Sequence, residues 1–367
     1  MKGFSSLIDT TKIYRMLEGV NKFINLHSRA ARTYLNMLGR RILHVITRKK
    51  PYAVEDDVKS SVEMHSPGTD QRCSLASFKK TVHSQYGEDG IIEKIFLVIG
   101  ESNKQCVEFG AGDGKAMSNT RNLLSNKGWS GVAIEADKNL YVQLVTNYQD
   151  NQRVICINKV VNFEGQDTLD NMLRATPMKE SFDLLSIDVD GNDYHMWDSI
   201  KAYSPRVVVV EFNQTIPPDI EFVQPRNLNV NQGTSLLSLV ILGKAKGYEL
   251  IAATDLNAFF VKKEYFNLFG IHDNSIRSIR LDSDYETHLF QLYDGTLVLA
   301  GNKRLLWHGR CIDQNKIQVL PKILRKYPDK LSPVMRSCAK HGWSGIIVYI
   351  SSLLHKAAIR FLRKKGN

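Results

Sequence analysis

Carboxylates gather in this chain in patterns that can do chemistry. Asp188-Val189-Asp190-Gly191-Asn192-Asp193 is the densest polar cluster, and Glu211-Phe212-Asn213 follows it. Acids grouped in this way can orient or deprotonate a hydroxyl. They can also offer oxygen ligands to a hard divalent cation. A calcium loop fails on register: counted from Asp188, Asp193 stands where the glycine belongs and Ser199 where the bidentate acid belongs. The expected catalytic groups are Asp188 or Asp190 as general base, with His195 as a further candidate. Asp188, Glu211 and Asn213 are the candidate ligands for a divalent ion such as magnesium.

A second pattern lies upstream, at Val107-Glu108-Phe109-Gly110-Ala111-Gly112-Asp113-Gly114. Three alternating glycines close a short apolar run, which reads as a strand ending in a tight turn that brings a ligand to bare backbone. A dinucleotide turn normally has an apolar residue at position 108, since an acid there repels pyrophosphate. Glu108 suits a cationic amino acid and sulfonium instead, so the turn favours S-adenosylmethionine over NAD. Glu135 falls 21 residues after Gly114, at the end of the next apolar run. It is spaced to accept from ribose hydroxyls. Gly110, Gly112 and the backbone at Ala111 would face the methionine part, with Gly114 closing the turn, Asp113 accepting from the ammonium and Asp137 beside Glu135.

These residues need a parallel sheet to hold them. Strands are expected at 105–109, 131–135, 153–157, 182–187 and 206–210, with helices at 119–126, 140–148, 168–173 and 194–200 between them. Alternation of this kind means βαβ units and a sheet covered on both faces. A helix at 235–246 and two closing strands at 248–253 and 258–262 bring the count to seven. The fold class is therefore α/β: a doubly wound, Rossmann-like, seven-stranded and mostly parallel sheet, with basic helical extensions at both ends. A dehydrogenase half would have six strands.

The chain resembles the FkbM-type methyltransferases, a branch of the class I S-adenosylmethionine enzymes. The resemblance is carried by Ser84-Gln85-Tyr86-Gly87-Glu88-Asp89, the Glu108 to Gly114 turn, Ser118-Asn119-Thr120 and Gly128-Trp129-Ser130-Gly131 leading to Glu135. Ser186 to Tyr194, Val210 to Asn213 and Gln291 to Thr296 extend it, so that it covers roughly residues 80 to 310. It implies methyl transfer, most often to a hydroxyl of a sugar-like acceptor in glycan or glycolipid synthesis. It also places Gln85 and Asp89 at the cofactor pocket, where the residues alone read equally as a helix N-terminus. Glu211-x-Asn213 is similar to a spaced variant of the acid-asparagine pair that holds magnesium in catechol-type enzymes. The loop 215–234, with Asn227, Asn229, Asn231 and Gln232, is the candidate acceptor loop, or else only a long connection.

Composition agrees with a globular enzyme: 43% of residues are apolar and 24% charged. Five cysteines, odd in number and without a Cys-x-x-Cys pair, argue for a reducing compartment such as the cytoplasm. Charge is unevenly divided. Residues 1–50 carry a net +9 and residues 321–367 a net +10 out of +11 overall, leaving −8 on residues 51–320. Such an acidic centre offers no basic groove, so a nucleic-acid partner is not expected. The expected organisation is a basic amphipathic arm at 1–50, a linker at 51–79, the methyltransferase domain at 80–272, a small β-rich addition at 273–320 and a basic amphipathic tail at 321–367. Both basic ends read as helices that either pack on the protein or lie on an anionic membrane surface. Neither has an apolar run of about 18 residues able to span a bilayer, and the N-terminus lacks the apolar core of a secretory signal. Two other function classes stay open: an NAD(P)-binding oxidoreductase, and a methyltransferase-like adaptor without catalysis.

Overall fold

The structure is a computed structural model and describes residues 74–280 and 284–365. The expected N-terminal arm and all but the last residues of the linker lie outside the described residues. Seven strands form the central sheet: β1 (Gln105–Phe109), β2 (Ser130–Glu135), β3 (Val154–Asn158), β4 (Leu184–Ile187), β5 (Val207–Glu211), β6 (Tyr248–Ala253) and β7 (Asn257–Lys262). Their order is β3-β2-β1-β4-β5-β7-β6, with β1 to β5 parallel and β7 antiparallel to both neighbours. This is the doubly wound α/β sheet that the sequence leads one to expect, closing hairpin included.

Alternation along each strand sorts the core into two layers. Val208 and Val210 of β5 face one layer while Val207 and Val209 face the other, and all four are fully buried. A run apolar on both faces is what a central parallel strand requires. Helices α1 (Glu88–Ile99), α2 (Arg121–Asn126) and α3 (Lys138–Tyr148) cover one face through Ile91, Ile95, Leu124 and Leu144. Helices α4 (Leu169–Arg174), α5 (Asp193–Ser199) and α6 (Leu236–Ala245) cover the other through Leu173, Trp197 and Leu239. Each fully buried side chain of this size contributes about 1.5–3 kcal/mol. Caps set the starts: Asp137, Thr168 and Ser235 accept from first-turn N–H groups of α3, α4 and α6.

The expected linker ends short of residue 79. Ser74 caps a 3₁₀ turn over Leu75–Phe78, and Leu75 is buried in the core layer of α1. At the far end, β8 (Thr287–Gln291) and β9 (Leu297–Gly301) form the added hairpin, and Arg304–Leu305 pairs with Arg310–Cys311 in a smaller one, β10 and β11. The basic tail provides α7 (Pro333–His341) and α8 (Gly345–Lys365), which pack on each other. Among the described residues no helix is long and apolar enough to cross a membrane.

Candidate functional site

The order of strands reverses between β1 and β4, and at such a switch point ligands bind beyond the carboxyl ends of the strands. A cavity of about 450 Å³ opens there. Its floor is the glycine turn, one wall is Glu135, Ala136 and Val160, and the other is Asp188, Asp190 and Asn192. Ile134, Leu140, Val161 and Met196 add apolar surface.

The turn is built by contacts only glycine permits. Gly110 has φ +74°, and a Cβ there would lie 1.6 Å from the Asp188 carbonyl oxygen. Gly114, at φ +68°, is pressed against Leu144 and Tyr148, so it seats the turn on α3 and does not face the cavity. Three of the turn's amides are already engaged. Ala111 N donates to Ile134 O at 3.1 Å, Gly112 N to Glu135 Oε2 at 2.7 Å, and Gly114 N to Ala111 O at 2.9 Å. A phosphate-binding turn keeps such donors free for its ligand. This one does not.

Glu108 requires a correction of role. It lines the cavity, but its carboxylate accepts from Ser118 Oγ at 2.6 Å, Asn119 N at 2.8 Å and Thr120 Oγ1 at 2.7 Å. Burial pushes this carboxyl up, and those hydrogen bonds pull it down. It therefore fixes the segment entering α2, and discrimination against phosphate rests on the engaged turn amides and the acids opposite. Glu135 has each oxygen on one amide, Gly112 N and Asp137 N. Each oxygen keeps a second acceptor position toward the cavity it lines.

Four further expected cofactor residues do not line the cavity. Asp113 caps the backbone of Lys115 and Ala116, and Asp137 caps α3. Asp89 is buried and accepts from the amides of Val82, His83 and Ser84. Gln85 is exposed beside it. The Ser84-to-Asp89 motif thus builds the entry into α1, where Glu88 also holds Thr254 and Asn257.

The acid cluster converges as its spacing suggests, with different members. Carboxylate oxygens of Asp188, Asp190 and Glu211 lie within 4.8 Å of one another. Asp188 follows β4 directly, Glu211 ends β5, and Asp190 sits at φ +53° in the turn between β4 and α5. A non-glycine residue in that region is strained, and aspartate tolerates it better than most. Asp193 anchors this turn by accepting from Val189 N and Gly191 N, both at 2.9 Å. Asp188 and Glu211 lie side by side in this cluster, and the charge of Asp188 raises Glu211's affinity for a proton. Burial and then the neighbouring Asp188 push Glu211 up to about 10. Burial and the nearby Asp193 and Asp190 push Asp188 to about 7. Both carboxyls are thus pushed toward the protonated form, Glu211 the further of the two.

Two expected roles are overturned. His195 Nε2 donates to the Gln224 carbonyl at 2.8 Å, and its ring packs edge-on against Phe163 and Tyr194. It latches the loop after β5 and touches neither cavity of the site. Asn213 Oδ1 accepts twice from Thr215 and its Nδ2 donates to Gln232 O, so no oxygen lone pair is left for a metal. The oxygen set that fits a hard divalent cation is Asp188, Asp190 and Glu211, once Glu211 gives up its proton.

The loop 215–234 folds over the cluster around Gln224, whose Oε1 accepts from Gln232 N and Gly233 N. Asn192, which lines the cavity, donates from Nδ2 to the carbonyls of Asn227 and Val230, leaving its buried Oδ1 without a partner among the described residues. That orphan acceptor calls for a donor from a ligand. A second cavity of about 430 Å³ shares Asp190 and Asn231 with the first and is bounded by Glu211, Thr234, Trp307 and His308. Sequence reasoning missed Trp307 and His308. They lie in the small β10–β11 hairpin far along the chain, and no periodicity or motif marks them.

No family model matches the chain, and no curated protein matches it. Among solved structures, the chain is similar to an S-adenosylmethionine-dependent methyltransferase from Clostridium acetobutylicum ATCC 824, at 6% identity and TM-score 0.32 over 48% of this chain and 92% of that one. It is similar to the N-terminal domain of EvdMO1 with SAH bound, at 10% identity and TM-score 0.30 over 47% and 79%. It is also similar to the CMeT domain of the citrinin polyketide synthase, at 12% identity and TM-score 0.32 over 47% of this chain. Of that last structure the chain spans half the length, 50%.

Proposed function

We propose that the chain is an S-adenosylmethionine-dependent methyltransferase of the FkbM type that methylates a hydroxyl oxygen of a sugar or glycan acceptor. One observation carries the reading. The cavity at the switch point, with its engaged glycine turn and Glu135, abuts the converging carboxylates of Asp188, Asp190 and Glu211. The engaged amides and the facing acids disfavour a dinucleotide, and an acid cluster at the cavity is more than an adaptor needs.

Bound there, S-adenosylmethionine supplies a sulfonium methyl that needs no activation by the protein. The residues supply binding, alignment and proton removal. Glu135 would accept from the ribose hydroxyls, the apolar wall at Ala136, Leu140 and Val160 would take the adenine, and Asn192 would accept from the amino-acid end. Asp188 accepts the proton of the acceptor hydroxyl, its burial and the nearby Asp193 and Asp190 raising its affinity for that proton. A divalent ion such as magnesium, if used, would be held by Asp188, Asp190 and Glu211 and would supply Lewis acidity for the hydroxyl.

The placement of the enzyme follows from its tail. Helix α8 exposes Ile347, Ile350, Leu353 and Leu354, and it belongs to a segment whose sequence carries net +10. This supports peripheral contact with the anionic cytoplasmic face of a membrane, where lipid-linked glycans would be within reach. The reaction itself is tested by Asp188→Asn. The variant should bind S-adenosylhomocysteine as the wild type does and lose about a hundredfold or more in turnover. Unchanged turnover would put the base elsewhere. Activity that survives EDTA would remove the metal.

A further inference from the structure

We infer that the second cavity is the acceptor subsite, and that Trp307 is the platform on which a neutral or amino-substituted sugar ring stacks. The inference rests on the methyltransferase reading for which hydroxyl reacts. Its binding part stands on the cavity alone. The cavity of about 430 Å³ adjoins the cofactor cavity, sharing Asp190 and Asn231 with it, and is itself lined by Glu211 of the carboxylate cluster. Thr234, only 1% exposed, is one of its walls, and its hydroxyl has no partner among the described residues. A buried hydroxyl left unsatisfied is costly, and a ligand hydroxyl would satisfy it.

Trp307 supplies the complementary face. It remains 64% exposed although it lines a cavity, and it is presented by a 3₁₀ turn between β10 and β11 that Gly309 closes at φ +62°. An indole offers a large apolar face at little conformational cost. Trp307 and Phe212 give it apolar surface, and Asp190, Glu211, Asn213 and Gln232 set hydrogen-bonding groups among its walls. A planar aromatic acceptor needs apolar surface on both faces. A polyhydroxylated ring needs one apolar face and a rim of hydrogen-bonding groups, which is what this cavity offers. Asp190 and Asp193 make the walls acidic, so uronates and phosphorylated sugars are repelled while an amino sugar is accepted.

Saturation-transfer NMR on the full-length chain with S-adenosylhomocysteine tests this. The probes are methyl β-glucopyranoside, methyl β-glucosaminide, methyl β-glucuronide and catechol. Transfer to the C–H face of the first two at millimolar concentration is expected, with none to the glucuronide. Trp307→Ala should weaken that binding at least tenfold, Trp307→Phe should retain most of it, and Thr234→Val should weaken it severalfold. Calorimetric affinity for S-adenosylhomocysteine should be unchanged in all three. Glycoside binding untouched by Trp307→Ala, absence of glycoside binding, or preference for catechol or the glucuronide would overturn the inference. Failure of the wild type to bind S-adenosylhomocysteine would instead overturn the methyltransferase reading.

Discussion

Replacing Glu211 by glutamine removes a proton that the folded chain holds and the unfolded chain does not. An unfolded glutamate ionises near its ordinary value of about 4.3, whereas in the fold burial and Asp188 push Glu211 up to about 10. Between those limits the native state binds one more proton than the unfolded state. Stability from this group is thus full at acid pH and falls as pH rises, by about 1.4 kcal/mol per unit. From pH 6 to pH 8 the loss is about 2.7 kcal/mol if Glu211 stays protonated throughout. Partial solvent access and relaxation reduce it, so about 1.5–2.5 kcal/mol is expected. Asp188, pushed to about 7, adds a loss of the same sign within that window. Glutamine mimics the protonated carboxyl, so Glu211→Gln should abolish its share and be the more stable protein at pH 8. Urea denaturation of both proteins at the two pH values, in EDTA, measures the difference. Equal pH slopes for wild type and variant would mean that the fold holds no extra proton on Glu211.

Two other outcomes follow from the same coordinates. Gly110→Ala places a Cβ 1.6 Å from the Asp188 carbonyl oxygen at φ +74°; it should lower stability by about 2–4 kcal/mol in denaturant titration, and retention of wild-type stability would refute the close approach of β1 and β4. Ile350→Glu with Leu354→Glu changes two exposed residues of α8. It should leave the fold intact and abolish salt-sensitive co-sedimentation with anionic vesicles, to which each basic group near the surface contributes about 1 kcal/mol; equal sedimentation of both proteins would mean that α8 is not the contact.

The sheet was legible because each strand is a short apolar run bounded by turn residues. Gln105–Phe109 and Tyr248–Ala253 match their expected limits. The site was legible only as far as local chemistry reaches. Asp188, Asp190 and Glu211 could be grouped because two adjacent strands end in acids. Partner choice could not be read. Whether Glu108 faces a ligand or Ser118 and Thr120 depends on where the chain passes ten residues later. Asn213 was expected as a ligand from its spacing to Glu211, yet Thr215, two residues on, takes its oxygen. His195 carried a base role by proximity in sequence, and a loop carbonyl 29 positions away claims its ring. Trp307 joins the site only through the placement of a hairpin that no local pattern announces.

The central claim is that the switch-point cavity binds S-adenosylmethionine through Glu135. Calorimetric titration of S-adenosylhomocysteine into wild type, Glu135→Ala and Asp137→Ala tests it most directly. Asp137 caps α3 without lining the cavity, so its variant controls for disturbance of the shared backbone. The wild type and Asp137→Ala should bind alike, and Glu135→Ala should lose about 1.5–3 kcal/mol, roughly tenfold or more in affinity. Wild-type binding of NAD but not of S-adenosylhomocysteine, or equal affinity in Glu135→Ala, would contradict the account.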